Sequence, residues 1–203
     1  RRWTMYVLAM AGVEQCGSLL TAFCMANAIY SLPLRSIYAA ILVWMLIWGF
    51  FRTKMTSRTW RNVNLCLLVL SLAGVLYLTI FDRSGGTYDA LLHPFTLLKR
   101  ALEQREYFRA MLMNVFLFFP LGLTLSNVLP WKWKRWGRIA LTAALCCALS
   151  VFIEYTQYWY HLGVAETDDV ICNTLGSFLG ACSLLVAWAI ERCQEKRDAA
   201  GDI

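Results

Sequence analysis

Charge is scarce in this chain of 203 residues: 16% are Asp, Glu, Lys or Arg against 59% hydrophobic, and the mean hydropathy is +0.52. That balance excludes an ordinary soluble domain, in which about 25% of residues are charged. Also missing is any Cys-x-x-Cys pair. Cys16, Cys24, Cys66, Cys146, Cys147, Cys172 and Cys182 lie inside apolar runs, as small core residues do and a disulfide framework does not. No zinc-ligand spacing, phosphate-cradling glycine loop or nucleophile motif is visible, so the sequence assigns no cofactor and no metal site. There is no internal repeat and no low-complexity tract. The formal charge of +6 is carried in short clusters beside apolar runs and not on one soluble face, which argues against nucleic acid as a partner.

What is present is a succession of apolar runs long enough to cross a hydrocarbon core, which takes roughly 20 helical residues. Helices are expected at 5–30, 34–51, 62–81, 107–129, 136–160 and 168–190, giving an all-α polytopic membrane protein of about six spans in a single membrane domain, 1–203. The first run is too long for the apolar region of a signal peptide and lacks a small-residue cleavage site, so it is read as a span although it carries Glu14 and Gln15. Pro120 is expected to kink the fourth helix by removing a backbone donor. Lys and Arg set the orientation. One set of connecting segments holds thirteen, including Arg52, Lys54, Arg58 and Arg61 and, later, Lys132, Lys134, Arg135 and Arg138; the other set holds six. Both termini are therefore expected in the cytoplasm, with Trp131, Trp133 and Trp136 in an interfacial belt.

The connector 82–106 then lies outside. It opens with a turn-like Asp-Arg-Ser-Gly-Gly, and from Pro94 its apolar residues Phe95, Leu98, Ala101 and Leu102 recur at helical spacing opposite Lys99, Arg100, Glu103 and Gln104. An amphipathic helix on the outer surface, or a re-entrant segment, is expected over 94–106; a solvated connector is the plainer alternative.

A carboxylate, Glu154, stands just beyond an uncharged run, 139–152. Ser150, Glu154, Gln157 and His161 are spaced four, three and four apart and should share one helix face. Asp169, Asn173, Gly176 and Gly180 repeat the spacing in the last helix, where the glycines permit close helix approach. At 1.5 Å per residue, Glu154 is roughly 9 Å and Asn173 roughly 7 Å inside the outer boundary, and Asn114 is roughly 7 Å beyond Arg109. Arg109, Asn114, Glu154, Gln157, Asp168, Asp169 and Asn173 are thereby candidates for one polar binding layer. A charge at the centre of a membrane helix costs on the order of 3 kcal/mol on the insertion scale, so Glu154 needs a partner, and Arg109 is the expected one. Plainer readings stand beside this. Asp168 and Asp169 suit a helix N-terminus capped by Thr167, Glu154, Gln157 and Asn114 suit interhelical hydrogen bonding, and His161 suits an interfacial position.

Four pieces together resemble the VanZ-like family of bacterial membrane proteins. They are His-Pro-Phe at 93–95, Asn-Val-Phe-Leu-Phe-Phe-Pro-Leu-Gly at 114–122, Ser-Val-Phe-Ile-Glu-Tyr-Thr-Gln at 150–157 and Asp-Asp-Val-Ile-Cys-Asn-Thr-Leu-Gly at 168–176. The resemblance covers about 78–188 and leaves two additional helices in 1–61. It places the family's motif residues on Asn114, Pro120, Gly122, Glu154, Gln157, Asp168, Asp169, Asn173 and Gly176. Members commonly carry an Arg soon after the Gly between the last two helices; this chain has Gly163-Val164-Ala165-Glu166 there.

The family is named for a protein that raises resistance to the glycopeptide teicoplanin. The resemblance thus implies an envelope protein whose outward polar layer binds a membrane lipid or lipid-linked envelope precursor, with Lys99, Arg100, Arg105 and Arg109 near an anionic head group. A second reading is an intramembrane enzyme on a lipid-linked substrate, with Glu154 or Asp169 as general acid or base or as ligands of a divalent cation. A third, proton-coupled transport, is disfavoured because the acids gather near one face.

Overall fold

In a computed structural model, the described residues are 34–81, 90–95, 99–101, 104–130 and 132–201. The expected span at 5–30, with Glu14 and Gln15, and the turn-like start of the connector 82–106 lie outside them. The chain divides into two units, Arg1–Ile41 and Leu42–Ile203. Of the first unit only helical residues 34–41, which open the first helix named below, are described; the packing and sites below concern the second.

Six helices occur among the described residues: α1 Leu34–Lys54, α2 Ser57–Leu76, α3 Arg105–Val128, α4 Arg135–Trp159, α5 Thr167–Ala181 and α6 Ser183–Gly201. Four stretches are long and apolar enough to cross a membrane, Ser57–Phe81, Tyr107–Val128, Arg135–Trp159 and Thr167–Arg197, and α1 adds the shorter apolar run Val43–Arg52. The architecture is all-α, as expected for a membrane protein, with four such spans in the described residues. α2 starts five residues before the expected Asn62, because Thr56 caps it: the Thr59 N–H donates to Thr56 Oγ1 at 3.3 Å. It ends in a π-helical turn, Tyr77–Phe81. α3 runs through Pro120, and Thr124 Oγ1 donates to Pro120 O at 2.8 Å.

One expected helix is interrupted. The run from Asp168 to Ile190 is α5 followed by α6, with Cys182 between them. There Leu185 N donates to Cys182 O at 2.9 Å, an i to i−3 bond that tightens the turn without ending the span.

Packing departs from the soluble pattern at the surface, not in the core. Val75, Phe118, Leu121, Cys146 and Ile153 form an apolar core joining α2, α3 and α4, while Val69, Phe81, Phe152 and Trp136 are 58–76% exposed, as side chains facing lipid are. Trp60 is buried against Trp48, ring centroids 5.0 Å apart, and its Nε1 donates to Asn127 Oδ1 at 3.1 Å, tying α1, α2 and α3 together. All described cysteines are free thiols. Cys146 and Cys172 are core residues, whereas Cys66 and Cys193 are exposed.

Candidate functional site

Three glycines set the frame. A Cβ at Gly176 would sit 2.8 Å from the Val115 carbonyl carbon, one at Gly180 2.7 Å from Leu123 N, and one at Gly122 2.5 Å from Ser177 Cα. Only glycine permits α3 and α5 to approach this closely. Val115 against Gly176 and Phe119 against Gly180 advance together, so the two helices run in the same direction. This brings Asn114 and Asn173 to within about one turn of each other in height.

α4 contributes a polar face. Ser150, Glu154 and Gln157 are all buried. Their partners come from three different elements. Asn173 Nδ2 donates to Ser150 Oγ at 2.8 Å, which puts Asn173 level with Ser150, one turn deeper than Glu154. Gln157 Nε2 donates to Thr79 O at 2.9 Å, in the π turn that closes α2. Glu154 Oε2 accepts from the Glu166 N–H at 3.0 Å. Asn173 Oδ1 is buried without a hydrogen-bond partner.

His161 does not extend this face. α4 ends at Trp159, and His161 turns to φ 57°. Leu162 N donates to Gln157 O at 2.9 Å and His161 N to Tyr158 O at 3.4 Å. These are the two bonds of a Schellman ending, with His161 in the left-handed position usually taken by glycine.

The loop between α4 and α5 is stitched to the connector that precedes α3. Ala90–Leu91 pairs in parallel with Ala165–Glu166, Ala90 opposite Ala165 and Leu91 opposite Glu166. Asp168, 4% exposed, accepts from the Phe95 N–H through Oδ1. Phe95 holds φ 65°, a left-handed conformation that a bulky residue keeps only when its surroundings impose it. The His-Pro-Phe piece and the Asp-Asp piece thus meet in space. Both acids lie in the first turn of α5, where the helix dipole favours them, and the cap residue is Glu166, not Thr167. Beyond Phe95, Lys99 N to Phe95 O at 3.1 Å and Gln104 N to Arg100 O at 2.8 Å are helical bonds within the expected amphipathic stretch. Lys99 and Arg100 are exposed there, and Arg100 lies over the Tyr107 ring at 5.6 Å. Arg109, Asn114 and Asp169 are half-buried.

Beside Glu154 is a cleft of about 540 Å³ whose walls include Leu92, Val151, Tyr155, Tyr158 and Val170. Of the seven binding candidates, Glu154 lines it; the other six do not. Val151 and Tyr155, on the same wall, are 52% and 59% exposed, so the cleft opens sideways toward the lipid. A carboxylate in an apolar recess suits an amphiphile that brings hydrogen-bond donors to one end and hydrocarbon to the other. Among the described residues no three His, Cys, Asp or Glu side chains gather as a metal ion would require. The sequence reading missed the strand pairing and the cleft, since two-residue strands leave no periodic signal.

A family model described as VanZ/LLP1 matches residues 36–188. Protein VanZ of Enterococcus faecium is 34% identical over 119 residues, covering 56% of this chain and 68% of that protein. No solved structure matches. The chain therefore belongs to the VanZ/LLP1 family, and the matched range begins inside α1, further toward the N-terminus than the motifs alone indicated.

Proposed function

We propose that this membrane protein of the VanZ/LLP1 family contributes to glycopeptide (teicoplanin) resistance by binding a lipid or lipid-linked envelope group at the Glu154 cleft, on the outer side of the membrane. The carrying observation is the buried Glu154 carboxylate in the wall of a largely apolar cleft of about 540 Å³, which Glu166 and Thr167 also line. The hydrocarbon part of the ligand lies between Leu92, Val151, Tyr155 and Val170, and its hydroxyl, amide or ammonium donors meet the carboxylate. The Glu166 N–H donates to Glu154 Oε2 at 3.0 Å, which orients the carboxylate in the cleft wall. The cations Lys99, Arg100 and Arg109 belong to the same end of the molecule and suit a phosphate in the head group. The outward orientation is supported by the thirteen-to-six division of Lys and Arg.

The test pairs lipid analysis with tolerance. Wild type and Glu154→Gln are purified from the same host at matched abundance and their co-purifying lipids quantified by mass spectrometry, while teicoplanin tolerance is scored for both and for Asp169→Asn. Gln keeps an acceptor for the Glu166 N–H, so the fold survives. One lipid species should lose occupancy in Glu154→Gln, and tolerance should fall to that of the empty host. Full tolerance in both variants would sink the proposal. Turnover of a labelled envelope lipid by the purified protein would replace binding with catalysis.

A further inference from the structure

Sixteen residues before Glu154 on the same helix, and so about 24 Å away, Arg138 lines a second cavity, of about 240 Å³. Arg52, Lys134 and Arg135 line it too, with Glu191 the one acid among its described lining residues. Glu191 Oε1 lies 3.8 Å from Arg52 Nη2, so the lining retains an excess of positive charge. The walls are built from different elements: the end of α1, the turn before α4, the start of α4, and α6.

Arg138 is the organising residue. It is 5% exposed, and its Nε and Nη2 both donate to Ser126 O, the former at 3.0 Å. Ser126 belongs to the last turn of α3, where carbonyls form the negative end of the helix dipole. The guanidinium is therefore fixed before any ligand arrives, so little rotamer entropy remains to be lost on binding. Arg52 and Arg135 are near enough to repel it, and an anion among the three would relieve that repulsion. Arg135 is itself held, its guanidinium carbon 5.3 Å from the centre of the Trp188 ring, with Arg192 also over that ring at 5.3 Å. Trp133 and Trp188 both line the cavity, and tryptophans mark the level of lipid head groups.

We infer that this cavity is a binding site for a phosphoryl anion, held by Arg138 and Arg135 with Arg52 and Lys134 completing the positive wall. Guanidinium groups match phosphate oxygens in pairs. The phosphate can be that of an anionic lipid, as basic pockets between membrane helices take, or of a soluble phosphoryl compound. The site is distinct from the Glu154 cleft and does not depend on the function proposed for it.

The test uses the full chain in a neutral detergent and reads thermal unfolding and native mass spectrometry. Phosphatidylglycerol, phosphatidylcholine and inorganic phosphate are titrated separately at constant ionic strength. Arg138→Gln strips Ser126 O of its donors and can unfold the end of α3, so the diagnostic variant is Lys134→Gln/Arg135→Gln, whose side chains are exposed. Phosphatidylglycerol should bind wild type at least tenfold more tightly than the double variant, with phosphatidylcholine equal for both. Protection by inorganic phosphate that the double variant loses would assign the site to a soluble phosphoryl ligand. Equal responses of wild type and double variant to both phosphatidylglycerol and phosphate would overturn the inference.

Discussion

Replacing Gly176 by alanine sets two effects of opposite sign against each other. Helix propensity favours alanine over glycine by about 1 kcal/mol in a helix interior. Against this, the new methyl would stand 2.8 Å from the Val115 carbonyl carbon and 3.0 Å from its Cα, atoms of the α3 backbone that have no rotamer to escape into. Carbon atoms pack best at about 3.5–4.0 Å, so α3 and α5 must part by about 1 Å, and a gap of that size forfeits between a quarter and a half of the dispersion energy along the contact. Overpacking costs about 1–3 kcal/mol, and an immobile backbone clash belongs at the upper end. The net loss is about 2 kcal/mol after the propensity gain, which lowers Tm by about 4–8 °C in a chain of this size. Gly137→Ala supplies the control, because nothing lies within 4 Å of its Cβ position. Propensity then acts alone, for a gain of up to about 1 kcal/mol. Unfolding followed by size-exclusion in detergent separates the cases. If Gly176→Ala leaves Tm unchanged or raises it alongside Gly137→Ala, the close approach of α3 and α5 is wrong.

Two further outcomes follow from the loops that flank α5 and the end of α4. Asp168→Ala strands the Phe95 N–H at a cost of about 1–3 kcal/mol, so amide exchange across 90–95 should quicken, while Asp168→Asn, which keeps an acceptor, should stay close to wild type; unchanged exchange in the alanine variant would mean that Asp168 does not anchor this turn. His161→Gly should raise stability by about 1 kcal/mol by relieving the left-handed residue, with teicoplanin tolerance retained, and a loss of tolerance there would reveal a chemical role for the imidazole.

Much of this was legible in the sequence, for reasons that differ residue by residue. Gly176 and Gly180 announced themselves by spacing, because only a small residue at helical intervals brings two membrane helices so close. Ser150, Glu154 and Gln157 were recognisable as one buried face because period 3.6 is a property of the backbone. Their partners were not. Gln157 meets Thr79 only because α2 relaxes into a π turn, which a 3.6-residue pattern cannot foresee. Glu154 receives the Glu166 N–H because a two-residue strand pairing fixes the loop, and such a short pairing has no alternation to read. His161 fitted the spacing of the face but fell beyond the end of the helix. Arg138 was counted as one more cytoplasmic charge, since a positive-inside count treats every basic residue alike, yet it is buried on the last turn of α3.

Arg138, Thr142, Cys146, Ser150 and Glu154 recur at intervals of four along α4, and every one is buried. On an α-helix such a row drifts by about 40° at each step, or about 160° over its length. No single neighbour can cover it. The coverage changes hands instead, with the end of α3 holding Arg138 through Ser126 O, α5 meeting Ser150 through Asn173, and the loop before α5 meeting Glu154 through the Glu166 N–H. Between the cation and the carboxylate the row offers two hydroxyls and a thiol, and no charged group. The two ends are thus separate electrostatic environments about 24 Å apart, well beyond the 7–10 Å within which substitutions ordinarily couple. The two proposed sites, one lined by a carboxylate and one by cations, lie at opposite ends of this row.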